Sequence, residues 1–123
     1  MADPRQALGR AAEDAAAGFL RSHGLSVLAR NVRFAEGEID LVCRDDNVLV
    51  FVEVKCRRAG WDEAPGAAVS WLKQRRLTRL AQHYLKWRRL GDVRCRFDVV
   101  SVTQDARGVL DIRHIRSAFE AVD

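Results

Sequence analysis

Two charged side chains follow the most apolar segment of this 123-residue chain. Residues 48–52 (VLVFV) form an uninterrupted apolar run, which is typical of a strand covered on both faces. Because side chains alternate along a strand, Glu53 and Lys55 share the face of Leu49 and Phe51. A buried charge is costly unless it is paired, hydrogen-bonded or bound to a metal. Glu53 and Lys55 are therefore candidates for chemistry.

The preceding segment, 37–44 (GEIDLVCR), also carries charges in a strand-like pattern. Strict alternation places Glu38 and Asp40 on the same face as Val42. If this segment pairs with the next one, the acidic side chains of both strands can meet. Asp40 is therefore a second candidate, beside Glu53.

The loop between the two segments decides whether Asp40 and Glu53 meet. A two-residue loop at Asp46-Asn47 places Asp40 directly opposite Glu53. A two-residue loop at Asp45-Asp46 shifts the register by two positions and keeps both carboxylates on one face. A regular three-residue loop would separate them onto different faces.

Two opposed carboxylates repel each other, and a divalent cation would relieve the repulsion. Oxygen ligands with open coordination positions suit Mg²⁺ or Mn²⁺, so Asp40 and Glu53 are predicted metal ligands. Such an ion would polarise a phosphodiester and activate water, while Lys55 would orient that water or stabilise the transition state. The alternative is a buried ion pair of Lys55 with Glu53 or Asp40 that does no chemistry.

Basic residues are concentrated in the second half of the chain. Residues 64–91 contain no acidic residue and seven basic ones, and further basic residues lie just upstream. A one-sided basic surface is typical of proteins that bind phosphate groups, and the alternative is a solvated helix face without a partner. The predicted phosphate contacts are Arg57, Arg58, Lys73, Arg75, Arg76 and Arg79.

For other residues whose side chains could take part in chemistry, the sequence favours structural roles. Asp98 alternates with Arg96, which favours a structural pair. The three histidines, His23, His83 and His114, lack metal-ligand spacing and are predicted to be surface or capping residues. Trp61 is predicted to lie in a loop, where it could stack on an unpaired base. For Trp71 and Trp87, on the predicted long helix, packing in the core or at a subunit interface is favoured.

Composition and cysteine usage exclude several classes of protein. No apolar run approaches the roughly 18 residues of a membrane span, and no signal-peptide pattern is present. We therefore expect a cytoplasmic protein without a membrane partner. The three cysteines are widely spaced, with no CxxC pair, which argues against a disulfide framework and a zinc site.

The periodicity predicts one α/β domain over residues 1–123, with a mixed five-stranded sheet flanked by helices. Ser70 is the predicted N-cap of the second helix, and Gly24 and Gly91 are the predicted helix stops. The predicted order is α-β-β-β-α-β-β, with helices at about 5–22 and 70–90 and strands at 25–34, 37–44, 48–56, 93–103 and 109–115.

The segment 37–41 (GEIDL), followed by 50–55 (VFVEVK), resembles the YraN family of uncharacterised bacterial proteins. That family is grouped with the PD-(D/E)xK nuclease superfamily, and archaeal Holliday-junction resolvases are similar. Ile39 stands where the superfamily has proline. Further blocks of the chain that resemble the family are 9–14 (GRAAED), 73–77 (KQRRL), 96–100 (RFDVV) and 118–119 (AF).

This resemblance implies a restriction-endonuclease-like core with catalytic roles for Asp40, Glu53 and Lys55. It also implies that Glu13 is a further acidic residue at the metal, and it suggests a nucleic-acid-binding role for Gln74. The expected activity is Mg²⁺- or Mn²⁺-dependent cleavage of structured or branched DNA, with DNA favoured over RNA. A two-fold homodimer is expected if the substrate is a symmetric junction.

Two alternatives to an enzyme are open. The first is a non-catalytic nucleic-acid-binding module that keeps the fold and the basic face. The second is an adaptor protein whose basic helix docks on an acidic protein partner.

Overall fold

The central strands have apolar side chains on both faces, so the sheet needs a helix on each side. The computed structural model describes residues 4–58 and 69–122. Its elements are α1 (Pro4–Ser22), β1 (Ser26–Phe34), β2 (Gly37–Asp45), β3 (Val48–Arg58), α2 (Trp71–Trp87), β4 (Arg94–Gln104) and β5 (Leu110–Phe119). The predicted α/β class and the predicted order of elements are confirmed.

The five strands form one mixed sheet in the order β1-β2-β3-β4-β5. The pair β3 and β4 is parallel, whereas the other three neighbouring pairs are antiparallel. A parallel pair needs a long crossover connection, and α2 lies within the segment that joins β3 to β4. β3 is therefore a central strand, as its continuous apolar run predicted.

Each helix packs on its own face of the sheet. On the α1 side, Leu20 and neighbouring alanines pack with Val50 and Val52 in one buried cluster. On the α2 side, Leu77 and Leu80 belong to a second buried cluster, which includes Phe51. Alternate residues of β3 thus belong to different layers, and Glu53 follows Phe51 in the α2 layer by the same alternation.

Both helices end in the same backbone motif, but only α1 ends at its predicted glycine. After α1, Gly24 (φ 92°) adopts the left-handed conformation, and the N–H of Leu25 donates to the carbonyl of Leu20 over 3.0 Å. This arrangement is a Schellman motif, so Gly24 is a helix stop as predicted.

The predicted stop of α2 at Gly91 is wrong. Arg89 (φ 54°) takes the left-handed position, and the N–H of Leu90 donates to the carbonyl of Leu85 over 3.0 Å. The Schellman motif therefore forms two residues earlier than the glycine, and the helix ends at Trp87. At the other end, the predicted N-cap is correct, because Ser70 Oγ accepts the N–H of Lys73 over 3.2 Å.

The hairpin between β2 and β3 has the two-residue loop that brings the acidic residues together. Asp45 pairs with Val48, and the same register runs to Leu41 and Val52. One further step of this register places Asp40 opposite Glu53. The two-residue loop at Asp46-Asn47 is therefore confirmed, and the other two loops considered are excluded.

Strict alternation fails in β2 at Asp40. Ile39 and Val42 both pack in the α2 layer, although they are three residues apart, while Leu41 packs in the α1 layer. The break lies opposite Asn31 of β1, whose backbone has a φ of 51°. Strict alternation therefore does not hold from Ile39 to Val42, which corrects the simple pattern assumed for this strand.

The last strand is longer than predicted and contains a bulge. Phe97 pairs with Phe119, but Val99 pairs with Ile115, so β5 has extra residues opposite Asp98. Ser117 lies in this bulge with a φ of 50°. A bulge interrupts the alternation, which explains why the sequence pattern predicted an end at Ile115.

Within the described ranges, neither helix is long and apolar enough to cross a bilayer.

Candidate metal centre

Three carboxylates from two elements meet beside β3. Glu13 comes from α1, and Glu38 and Asp40 come from β2. Each residue offers one oxygen, and these three oxygens all lie within 4.8 Å of one another. The three side chains are half-buried. We refer to Glu13, Glu38 and Asp40 as the carboxylate cluster.

The side chain of Asn31 links two members of the carboxylate cluster. With its amide oriented so that nitrogen faces the acids, Nδ2 lies 2.9 Å and 3.0 Å from the two oxygens of Glu13 and 2.8 Å from Oε1 of Glu38. An amide NH₂ has two protons to donate. Asn31 therefore donates to both carboxylates and offsets part of their mutual repulsion.

The environment of the cluster raises the pKa of two of its acids, Asp40 and Glu13. Burial, the charge of Glu53 and the other nearby acids raise the pKa of Asp40 to about 7, although a hydrogen bond from the backbone N–H of Val54 acts in the opposite direction. Burial and the charge of Glu38 raise the pKa of Glu13 as well. The cluster therefore holds negative charge at a cost that a cation would reduce.

Glu53 lies next to the cluster on the central strand. Glu53 is only 8% exposed, and its carboxylate forms an ion pair with the ammonium group of Lys73 on α2. Glu53 thus adds to the negative potential at Asp40 while its own charge is paired with a cation.

The position of Lys55 agrees with the alternation along β3. It is half-buried and pairs with Ser101 of β4 in the parallel ladder. Lys55 lies two positions after Glu53, so alternation places both on the α2 side of β3.

A comparison with known proteins places the chain in a family. Residues 12–102 match the model of the uncharacterised protein family UPF0102. The chain belongs to UPF0102. This is the YraN family, so the family resemblance seen in the sequence is confirmed.

Several UPF0102 proteins are similar over nearly their whole length. A relative from Symbiobacterium thermophilum is 53% identical, covering 93% of this chain and 97% of the relative. A relative from Desulforapulum autotrophicum is 44% identical, covering 98% of each protein. A third, from Coxiella burnetii, is 44% identical over 94% of this chain and 93% of the relative. The similarity therefore spans both helices and all five strands.

The basic residues of this UPF0102 protein occupy several different environments. Arg58, Arg76 and Arg79 are exposed, and Arg57 is half-buried. The guanidinium of Arg75 lies 5.4 Å from the centre of the Trp71 ring. Lys73 differs from these arginines because it contacts a buried acid.

Gln74 has a structural partner at the start of α2. Its Nε2 donates a 2.8 Å hydrogen bond to the carbonyl of Val69. This contact holds the residue before the Ser70 cap against the first turn of the helix. A role in binding nucleic acid stays a prediction for Gln74.

The tryptophans on α2 are more exposed than a core position allows. Trp71 is 55% exposed and Trp87 is 62% exposed, so the prediction of core packing is wrong for both. They occupy the first and last positions of α2, where the helix projects beyond its buried stripe. Packing at a subunit interface stays a prediction. Trp61 lies outside the described residues.

Asp98 is the centre of a separate, structural network in the UPF0102 fold. Its oxygens accept hydrogen bonds from Arg96 Nε (2.8 Å) and from the backbone N–H of Ser117 (3.0 Å), and His114 Nε2 lies 2.8 Å from Oδ2. The predicted pair with Arg96 is confirmed. The prediction that His114 is a surface or capping residue is wrong, because its side chain is only 10% exposed.

Sequence reasoning missed Glu38 and Asn31 as members of the site. A signal for Glu38 was present, because alternation already placed it beside Asp40. Asn31 had no such signal, because its contribution depends on a positive φ and on the docking of α1. Glu13 was expected from the family resemblance, and the structure brings it to Asp40.

Proposed function

We propose that this UPF0102 protein is a cytoplasmic Mg²⁺- or Mn²⁺-dependent endonuclease of the PD-(D/E)xK type that acts on structured or branched DNA. The observation that carries the proposal is the meeting of Glu13, Glu38 and Asp40 within 4.8 Å, beside Glu53. Lys55 follows Glu53 at the spacing of the nuclease motif. DNA is favoured over RNA because of the similarity to junction resolvases.

The chemistry of the donor set supports a hard divalent cation. All candidate ligands are carboxylate oxygens, which Mg²⁺ and Mn²⁺ prefer, and partial exposure leaves room for water and phosphate. The raised pKa of Asp40 supports the same conclusion, since the protein holds excess negative charge at this point. A divalent cation therefore fits the carboxylates that are present.

The roles of the side chains follow from their positions. Asp40 and Glu53 would bind the ion directly, and Glu13 would complete the site from α1. When bound, a divalent cation supplies Lewis-acid polarisation of the phosphodiester and a more acidic water. Lys55, half-buried on the same strand as Glu53, would orient the attacking water or stabilise charge on the phosphoryl oxygens.

The basic surface would hold the nucleic acid. Arg76 and Arg79 are exposed on α2, and Arg57 and Arg58 are the last two residues of β3. Arg75 lies on the same helix, against Trp71. Such residues contact phosphates largely without sequence preference. A homodimer would present two centres to a symmetric junction, with one centre for each cleaved strand.

The first test is Mn²⁺ binding by isothermal titration. We expect saturable binding in the wild type and its loss in the Asp40→Asn/Glu53→Gln double variant, with thermal melting showing that the variant is folded. Cleavage of a four-way DNA junction, compared with a linear duplex of the same sequence, would then test the activity. If the wild type binds no Mn²⁺ even with junction DNA present, the non-catalytic binding module becomes the better explanation.

A further inference from the structure

We propose that Lys73 is a positioning residue that couples metal binding to nucleic-acid binding. In the metal-free protein, Lys73 serves as the counter-ion of Glu53. When a divalent cation takes its place, the ammonium group becomes available to a phosphate of the nucleic acid. This inference rests on the proposed function and assigns Lys73 a role different from that of the other basic residues on α2.

The first observation is the contact itself. The carboxylate of Glu53 is nearly inaccessible to solvent, with 9% of its side chain exposed, while the side chain of Lys73 is 41% exposed. Lys73 is therefore the solvent-accessible partner of this pair, and its ammonium group occupies a position beside the carboxylate of Glu53.

The second observation is that the backbone of Lys73 is fixed while its head group is not enclosed. Its N–H donates to Ser70 Oγ at the cap of α2, which anchors the residue in the first turn. A lysine side chain has a flexible four-carbon stem and a compact charge. The ammonium group can therefore leave Glu53 without any movement of the helix.

The energetic argument concerns the charge of Glu53. A buried carboxylate without a partner is costly, and Lys73 removes this cost in the absence of metal. Because Lys73 and a divalent cation neutralise the same carboxylate, they compete. Lys73 therefore lowers the affinity of the metal-free protein for the ion while it stabilises the fold.

The competition also links the two ligands of the site. Once released from Glu53, Lys73 adds a positive charge to the surface formed by Arg76 and Arg79, where phosphates are expected. The metal thus strengthens nucleic-acid binding, and by reciprocity nucleic acid strengthens metal binding. The arginines of α2 contribute to DNA affinity, but they do not contribute to this linkage through Glu53.

The test compares Lys73→Met with Lys86→Met, which removes the same charge from an exposed position on the same helix. Lys86 lies 13 residues further along α2, roughly 20 Å away at the helical rise. Isothermal titration with Mn²⁺ in the absence of DNA measures the competition. We expect Lys73→Met to bind Mn²⁺ about fivefold more tightly than the wild type, and Lys86→Met to match the wild type.

A second measurement tests the coupling. Fluorescence anisotropy gives the affinity for a four-way junction containing phosphorothioate linkages, which slow cleavage, with and without Mn²⁺. The gain in DNA affinity caused by Mn²⁺ should be smaller in Lys73→Met than in the wild type and in Lys86→Met. The melting temperature of Lys73→Met should be lower without metal and should rise more on addition of Mn²⁺.

The outcomes separate this inference from the proposed function. If the wild type binds Mn²⁺ and folded Lys73→Met binds it equally or more weakly, the role of Lys73 is disproved and the nuclease proposal stands. If the wild type binds no Mn²⁺ with or without DNA, both proposals are disproved. Lys73→Gln, which keeps a hydrogen-bond donor for Glu53, provides the same comparison if Lys73→Met does not fold.

Discussion

The backbone N–H of Val54 donates a 2.8 Å hydrogen bond to Oδ2 of Asp40. A side chain of β2 thereby accepts a hydrogen bond from the backbone of β3, just beyond the last backbone pair of these strands, Leu41 and Val52. The hydrogen bond holds the carboxylate beside Glu53 in a half-buried position. Asp40 therefore holds its charge at a cost to the stability of the protein, and this cost can be measured.

Asp40→Asn should stabilise the metal-free protein at pH 8. Burial and the neighbouring acids raise the pKa of Asp40 from 3.8 to about 7. Because the native state binds the proton more tightly, this contribution to stability is complete below about pH 4 and is lost as the pH rises through 7. We expect a gain on the order of 2 kcal/mol at pH 8 and almost none at pH 4, measured by urea unfolding with chelator present. A variant equally stabilised at both pH values would contradict this explanation.

Metal affinity should rise with pH through the pKa of Asp40, about 7. Below that pH the ion must displace a proton from Asp40, whereas above it the carboxylate is already charged. Titration with Mn²⁺ at pH 6, at pH 8 and in buffers of different ionisation enthalpy measures both affinity and proton release. Proton release at pH 6 that persists unchanged in Asp40→Asn would assign the proton to another group.

Asn31→Ala should destabilise the metal-free protein by about 1 kcal/mol, because it removes a donor shared by two carboxylates. Asn31→Asp should be worse at pH 8, since it adds a fourth acid to the cluster. Excess Mn²⁺ should reverse this order and raise the melting temperature of Asn31→Asp more than that of Asn31→Ala. Equal responses of the two variants to Mn²⁺ would show that Asn31 is remote from the bound ion.

Asp98→Asn should cost about 3 kcal/mol or more at neutral pH, because it removes the buried anion that pairs with Arg96 and accepts the N–H of Ser117. Burial would raise the pKa of Asp98, but hydrogen bonds from His114, Arg96 and the N–H of Ser117 outweigh it and lower the pKa to about 2. The stabilisation is therefore present above about pH 4 and is lost as the pH falls through 2. Urea unfolding measures the loss, and Mn²⁺ affinity should be unchanged in the folded variant.

The double variant Arg76→Ala/Arg79→Ala should bind DNA more weakly while keeping its metal affinity. Both arginines are exposed on α2. For each arginine that neutralises one phosphate, its removal should reduce the slope of log affinity against log salt by about 0.9 for duplex DNA. Anisotropy titrations between low and moderate salt measure the slope, with Lys86→Ala as the control. An unchanged slope would place the nucleic acid on another surface.

Much of the fold was predictable because its signals are local. The apolar run 48–52 predicted a central strand, and the Asp46-Asn47 loop, one of three loops that the sequence left open, gives the register that places Asp40 opposite Glu53. These signals depend on alternation and turn chemistry within a few residues. Errors arose where a local conformation broke the pattern, as in the bulge at Ser117 and the helix stop at Arg89.

The composition of the candidate site depended on packing between distant parts of the chain. Glu13 reaches Asp40 only when α1 docks on the sheet, and Lys73 reaches Glu53 only when α2 covers the other face. Similarly, Asn31 joins the cluster through a positive φ that no residue pattern announced. Local spacing therefore predicted which charged strand residues belong to the candidate site. Helix packing across the sheet specified their partners, because side chains from different elements meet only when the apolar faces between them are buried.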